Sequence, residues 1–195
     1  MTHMAQATGY PAILSIAYPD RPLSRLSTFF RPLLVIPILI VAALLTPLAT
    51  APPLLLLVFR RKYPRWWFDW NYELLKFQNR VLAYMSLMSD EYPSTDDDQY
   101  VHLELAYPNA ANDLNRLLPL VKWLLAIPHY VVLAVLEVIA LVVLFIAWLA
   151  ILFTGRYPRA LFDFMHSVMS YTLRVEVYTL VLMTDRYPPF SLSTT

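Results

Sequence analysis

One ionisable side chain stands alone inside the most apolar stretch of this sequence. Residues 129–153 carry a single formal charge, that of Glu137. An ionisable group at the depth of a bilayer core needs a partner and indicates function. Counted along antiparallel helices, Arg174 reaches the same height as Glu137, and Arg80 holds the matching place earlier in the chain. We therefore predict an intramembrane charge pair of Glu137 with Arg174, or else with Arg80, as a structural ion pair or a proton or ion relay.

A polar stripe runs along the last long helix of each half of the chain. Its residues are Asp69, Glu73, Lys76 and Arg80, with the counterparts Asp163, Ser167, Ser170 and Arg174. Asp163 and His166 are three residues apart and could place two metal ligands on one helical face. No third ligand has suitable spacing, so we expect no metal and no cofactor. The sequence has no nucleophile elbow, zinc motif, Walker loop or dinucleotide fingerprint, and we predict that the protein is not an enzyme.

Basic and aromatic residues gather where each of these helices begins. The motif Tyr-Pro-Arg-x-x-Phe-Asp occurs at residues 63–69 and again at residues 157–163. Its arginine and aspartate are four residues apart and share a helical face, which predicts a clasp at the membrane surface. A site for lipid headgroups or for a partner's acidic tail is the functional interpretation, and the two can coexist. Its candidate residues are Arg60, Arg61, Lys62, Arg65, Trp66, Trp67, Arg156 and Arg159.

The motif belongs to an internal repeat that covers most of the chain. Ala17-Tyr18-Pro19 corresponds to Ala106-Tyr107-Pro108, and the Asp-x-Tyr-Pro of residues 90–93 to that of residues 185–188. Such a repeat indicates a duplicated unit and must be found before the fold is assigned. We divide the chain into a tail (1–12), a first half (13–93), an acidic linker (94–100), a second half (101–190) and a final tail (191–195).

Composition places the chain in a membrane. Of its 195 residues, 58% are hydrophobic and 15% are charged, whereas soluble domains have about 25% charged residues. The absence of cysteine excludes disulfides and thiolate chemistry. The net charge of +1 argues against nucleic acid as a partner.

We predict an all-α integral membrane protein of two parallel internal repeats, with about four membrane-spanning or membrane-embedded helices, interfacial helices and short extended segments. The extended segments at residues 13–18 and 101–107 either pair as a small sheet or remain two separate surface strands. Pro128 divides the apolar run of the second half into an interfacial helix and a span. Prolines interrupt the first half's run, which predicts a kinked span or a re-entrant hairpin near Thr46–Pro53.

The loops that contain the repeated motif are basic, and the positive-inside rule places them in the cytoplasm. The linker and both termini then face outward. We expect five cations at the end of the molecule opposite these loops: Arg21, Arg25, Arg31, Arg116 and Lys122.

The repeated motif, together with residues Thr184–Phe190, resembles the bacterial membrane family called domain of unknown function 4389, in two tandem copies. The resemblance implies a protein of the bacterial inner membrane and no particular activity, and the predicted spans make it a multi-pass protein. We expect a non-enzymatic structural or accessory subunit, or scaffold, that contacts membrane lipids and forms a homo-oligomer or a larger membrane complex. The alternative is a small transporter, channel or lipid-binding protein that uses a polar cleft between the repeats.

Overall fold

A computed structural model describes residues 10–45, 51–95, 97, 99–110 and 112–193. Outside these ranges lie residues 1–9 and 194–195 of the predicted tails and residues 96 and 98 of the acidic linker. Residues 46–50 of the proposed re-entrant turn also lie outside them. The described residues form strands β1 (Ala12–Ile16) and β2 (Val101–Leu105) and the helices α1 (Arg25–Leu34), α2 (Ile36–Leu45), α3 (Ala51–Arg60), α4 (Arg65–Met85), α5 (Lys122–Leu125), α6 (Ile127–Thr154) and α7 (Arg159–Thr179).

The two strands pair with each other as an antiparallel sheet, which confirms one of the two interpretations of the extended segments. Leu14 lies opposite Leu103 at the centre of the register, and Ser15 lies opposite His102. Leu14 and Leu103 are buried, whereas Ser15 and His102 are exposed. The alternation of apolar and polar residues therefore gives the sheet one packed face and one polar face.

Each half packs its strand on the long helix of the other half, an arrangement that we call the strand exchange. β1 lies on α7, where His166 Nε2 donates to the carbonyl oxygen of Leu14 at 2.9 Å. β2 lies on α4, where the hydroxyl of Tyr72 donates to the carbonyl oxygen of Leu103 at 2.7 Å. His166 and Tyr72 occupy equivalent places in the repeat. Different side chains thus anchor the two strands at the same point of the register.

The tyrosine that follows each strand also contacts the opposite half of the chain. Tyr18 donates to the carbonyl oxygen of Tyr157 at 2.5 Å, and Tyr107 donates to that of Tyr63 at 2.6 Å. Their rings pack edge-on against Phe162 and Phe68 of the same motifs. These contacts hold the start of each half against the Tyr-Pro-Arg loop of the other.

The predicted fold class is wrong. The described chain contains a sheet, so it is not all-α, and the strand exchange is found in place of the two parallel repeats that were predicted. Among the residues that the structure describes, α6 alone is long and apolar enough to cross a membrane. The number rises to two segments if α1 and α2, bent by 45°, count as one. The physical reason lies in the first half, where the apolar run is broken into helices of ten residues, each only about 15 Å long.

A disulfide tests the register of the sheet, because the chain has no cysteine of its own. We expect Ser15→Cys/His102→Cys to form an intramolecular disulfide on mild oxidation, since the two residues lie directly opposite. The matched control, Ser15→Cys/Glu104→Cys, is displaced by two residues, and its Cβ atoms are too far apart at about 7 Å. Free thiols are counted by alkylation and mass spectrometry. Equal disulfide formation in both variants would contradict the register.

Candidate functional site

The exposed apolar side chains are concentrated on α1, α2, α3, α6 and residues 117–127, which together we call the apolar layer. In α6, only 11% of the residues in the most apolar stretch are buried. This helix is therefore not the core helix of a soluble protein, which would be covered. Large exposed side chains of the layer include Phe29, Leu33, Ile40, Leu44, Leu55, Phe59, Trp123, Val131, Val138, Leu141, Phe145 and Phe153.

Helices α4 and α7 separate the apolar layer from the sheet. Both contact the sheet on one side and helices of the apolar layer on the other, α7 through α6 and α4 through α2. The outer face of the sheet presents Ser15, His102 and Glu104, and all three are exposed. The molecule thus has an apolar face and a polar face, and a contiguous apolar surface of this kind marks a protein or membrane contact.

Basic residues surround the ends of α3 and α6. Arg25 donates to the carbonyl oxygen of Phe153 at 3.2 Å, and Arg116 donates to that of Val58. The last carbonyl groups of a helix carry partial negative charge, which attracts cations. Arg25 and Arg116 therefore lie beside the Tyr-Pro-Arg loops, and their expected position at the opposite end is wrong. The strand exchange causes this, because it brings the start of each half to the other half's loop.

The predicted clasps are confirmed as contacts. Arg65 Nε lies 3.2 Å from a carboxylate oxygen of Asp69, and Arg159 Nε lies 3.1 Å from one of Asp163. The two arginines also stack over the rings of Tyr107 and Tyr18. All four charged side chains are more than half exposed, so each pair contributes little stability by itself.

The remaining candidates for headgroup binding are divided between solvent and protein. Arg60, Arg61, Lys62 and Arg156 are exposed. Trp66 is 65% exposed, whereas Trp67 is half-buried and stacks on Trp70 with ring centres 5.1 Å apart. The basic loops are therefore available to an anionic surface, with Trp66 beside them.

The predicted intramembrane charge pair is not formed. Arg174 donates to the carbonyl oxygens of Ser170, Ser191 and Ser193, and Arg80 donates to that of Ser94 at 2.8 Å. Glu137 is exposed and makes no ion pair with any described residue. Residue spacing predicts how far along a helix a side chain lies, but not the direction in which it points. Both arginines point toward the chain segment that follows their helix.

The polar stripes serve local structure. Lys76 lies 3.6 Å from Glu73, and the Ser167 hydroxyl donates to the carbonyl oxygen of Asp163. Ser170 is buried. His166 anchors β1, as described above. Among the described residues, no three His, Cys, Asp or Glu side chains lie close enough together to hold a metal ion.

Two buried cation–carboxylate pairs were missed by the sequence reasoning. Arg31 Nη2 lies 2.7 Å from a carboxylate oxygen of Asp90, and Lys122 Nζ lies 2.7 Å from one of Asp185. Arg31 is 3% exposed and Lys122 is fully buried. The signal was the repeat itself, because each cation precedes the Ile-Pro pair of its half by the same interval, and each aspartate begins the repeated Asp-x-Tyr-Pro.

The surroundings of the two pairs also match. Arg31 donates to the carbonyl oxygen of Ser89 and stacks over Tyr84, and Lys122 donates to that of Thr184 and lies over Tyr178. Burial lowers the pKa of Lys122, and the hydrogen bond and charge of Asp185 oppose that decrease. The aspartate therefore favours the charged form of this buried ammonium.

A cleft of about 270 Å³ lies between α2, α4 and α7. Its polar lining consists of Gln78, Asn79, Thr172 and Glu176. Burial raises the pKa of Glu176 from 4.5 to about 7, and the negative charge of Glu137 contributes to the increase. The two carboxyl groups thus repel each other, in place of the attraction predicted between Glu137 and an arginine.

A second, more apolar groove of about 430 Å³ lies between α1 and α6. Its walls come from α1 and the following Val35, from the end of α4 and the loop after it, and from α6. Arg31 is the one charged residue among the described residues of its lining, which are Arg31, Pro32, Val35, Met85, Leu87, Leu141, Leu144, Phe145 and Trp148.

Comparison with known families supports the resemblance in one half of the chain. Residues 118–191 match the family model described as Domain of unknown function (DUF4389). The matched range contains α5, α6 and α7 and the second Tyr-Pro-Arg motif. One copy is matched, not the two tandem copies that were predicted. No curated protein and no solved structure matches the chain.

The buried pairs predict a large difference between two aspartates. Asp185→Asn should lower the free energy of unfolding by about 3–5 kcal/mol, because it leaves the buried Lys122 without a counter-charge. Asp163→Asn is the matched control and should cost less than about 0.5 kcal/mol, since its pair is exposed. Adding Lys122→Met to Asp185→Asn should restore part of the loss. Chemical unfolding in detergent measures all three, and similar values for the two single variants would contradict the argument.

Glu176 predicts a pH dependence of stability. Between pH 4.5 and about 7 the carboxyl ionises in the unfolded chain while it stays protonated in the folded protein. The free energy of unfolding should therefore fall by about 1–3 kcal/mol as the pH rises through this window. Glu176→Gln should remove that slope, and Glu73→Gln, at an exposed position, should keep it. An unchanged slope in Glu176→Gln, measured by unfolding in detergent across the window, would refute the assignment.

Proposed function

We propose that this protein is a non-enzymatic scaffold or accessory subunit attached to the bacterial inner membrane, with its apolar layer embedded in one leaflet. The observation that carries the proposal is the segregation of the surface. Exposed apolar side chains dominate one layer of helices, whereas the sheet presents polar side chains. A polar sheet cannot enter hydrocarbon, because its side chains would lose their water without gaining partners.

The basic residues agree with this placement. The exposed cations of the two Tyr-Pro-Arg loops lie at the ends of α3 and α6, together with Arg25 and Arg116. Cations beside an embedded helix interact with the anionic headgroups of bacterial lipids. Membrane lipids are thus the first partner. The sheet and the exposed sides of α4 and α7 remain in water, where a second copy or a larger membrane complex would bind.

We also propose that the first half is a second, diverged copy of the matched unit. The support is the series of equivalent contacts: Tyr18 with Tyr107, Arg25 with Arg116, and the two buried cation–carboxylate pairs. Independent sequences do not produce such paired partners. The apolar run of this half forms short helices, unlike that of the matched unit.

A polar-cleft function is the second candidate, favoured by Glu176. Its carboxyl lies in a cleft with Gln78, Asn79 and Thr172, between the long helices of the two halves. A carboxyl with a pKa of about 7 exchanges protons near neutral pH. The cleft would serve a small transporter or a binding protein for a polar ligand. Loss of a ligand-induced shift in melting temperature in Glu176→Gln would support it.

Membrane attachment is tested by placing charge in the apolar layer. Val131→Lys/Val138→Lys alters two exposed positions of α6, and each lysine at membrane depth opposes insertion by about 2.5–3.5 kcal/mol. We expect the wild type to float with phosphatidylethanolamine–phosphatidylglycerol vesicles and to resist carbonate extraction, and the variant to lose most of the resistant fraction. The control Ser15→Lys/His102→Lys, on the polar sheet, should behave as the wild type. Carbonate resistance in all three proteins would overturn the proposal.

The same vesicles decide between an embedded and a crossing α6. Single cysteines replace Asn112, before the apolar stretch that leads into α6, and Arg156, after α6; both residues are exposed. In one leaflet, both cysteines react with an impermeant maleimide from the same side of a sealed vesicle. Reaction from opposite sides would show that α6 crosses the membrane.

A further inference from the structure

We infer that the groove between α1 and α6 binds one acyl chain of a glycerophospholipid, and that an ester carbonyl of the lipid accepts a hydrogen bond from Arg31 Nε. The groove measures about 430 Å³, within the range of small-molecule sites. Apart from Arg31, its walls are apolar or aromatic, which suits a hydrocarbon chain.

Arg31 supplies a polar anchor that the fold does not use. Its side chain is 3% exposed, with Nη2 on Asp90 at 2.7 Å and Nη1 on the carbonyl oxygen of Ser89 at 2.8 Å. Nε is buried and has no hydrogen-bond partner in the structure. A buried donor without an acceptor is costly, so this atom indicates an acceptor oxygen supplied by a ligand.

A second buried polar group on α1 also lacks a hydrogen-bond partner. The hydroxyl of Thr28, three residues before Arg31 on α1, is buried without a partner. Residues three apart share a helical face. The carbonyl oxygen of Thr28 accepts from Trp148 Nε1 at 3.1 Å, and Trp148 lines the groove. The polar end of the site therefore lies between α1 and Trp148.

The second half of the chain shows that the ion pair itself does not need an arginine. Lys122 takes the equivalent place, 2.7 Å from Asp185 and with the Thr184 carbonyl oxygen as a further partner. A lysine provides the charge but has no donor that corresponds to Nε. The extra donor of Arg31 is thus available for a ligand rather than required by the fold.

The position of the groove and the charge of its lining indicate which ligand occupies it. The groove opens beside Leu141 and Phe145, which are 66% and 59% exposed in the apolar layer. An occupant reaches it from the membrane, so the inference rests on the proposed attachment. Asp90 already neutralises Arg31, and the site therefore needs no anionic headgroup. An acyl chain with its neutral ester carbonyl meets these conditions for lipids of any headgroup.

Native mass spectrometry of the full chain in detergent tests the site. With added phosphatidylcholine or phosphatidylglycerol, the wild type should retain one lipid of either kind. Leu144→Trp fills the groove and should abolish retention, whereas Val138→Trp adds the same bulk elsewhere on α6 and should leave it unchanged. Arg31→Lys keeps the charge and should weaken retention about tenfold, as expected for one lost hydrogen bond.

Each other outcome overturns the inference. Equal retention in Leu144→Trp and the wild type, or no retained lipid in the wild type, removes the groove as the site. Equal retention in Arg31→Lys and the wild type removes the hydrogen bond. A dimer that Leu144→Trp dissociates would make a second copy the occupant. Because the measurement is made in detergent, a failure of membrane attachment appears only in the flotation assay, where Leu144→Trp should behave as the wild type.

Discussion

The pairing of β1 with β2 is the constraint on which the other contacts depend. Two strands alone are marginal in water, and here each is completed by a helix of the opposite half, through His166 and Tyr72. Neither half can therefore bury its strand without the other. The same exchange brings Tyr18 to Tyr157 and Arg25 to the end of α6. The position of the basic loops beside the apolar layer follows from it.

Contacts between residues close in the sequence, and contacts that recur in the repeat, could be predicted from the sequence. Contacts that depend on the direction of a side chain could not. The Arg65–Asp69 and Arg159–Asp163 contacts follow from helical spacing, and the alternation of β2 predicted a strand. The prediction of a Glu137–Arg174 pair failed because residue spacing determines how far along its helix a side chain lies. It does not determine whether the side chains of two helices point toward each other. The fold class failed because the apolar run of the first half, for which the prolines predict a kinked span or a re-entrant hairpin, forms helices of only ten residues. The Arg31–Asp90 pair joins residues 59 apart, and no local periodicity connects them.

Four cations are buried among the described residues, and two of them, Arg31 and Lys122, are paired with a carboxylate. Taking an ion out of water costs several kcal/mol, and a single partner compensates only with good geometry and further hydrogen bonds. The Arg31–Asp90 and Lys122–Asp185 pairs meet that condition in the same way. A carboxylate, a backbone carbonyl oxygen and a tyrosine ring surround each cation. They join the chain after α4 or α7 to the apolar layer, to Arg31 on α1 and to Lys122 within residues 117–127. The two ion pairs thus connect the polar and apolar sides of the molecule at two equivalent positions.

The two halves differ mainly in the layer that we place in the membrane. Helices α4 and α7 are of equal length, 21 residues each, and their contacts with the sheet correspond. In the apolar layer, by contrast, the second half has the 28-residue α6, where the first half has short helices. α1 contacts α6, and the groove beside Arg31 lies between these two helices of unequal length. If the two halves are copies of one unit, as proposed above, they differ at this position in a way that matters for the groove, because Lys122 of the matched half has no donor that corresponds to Arg31 Nε.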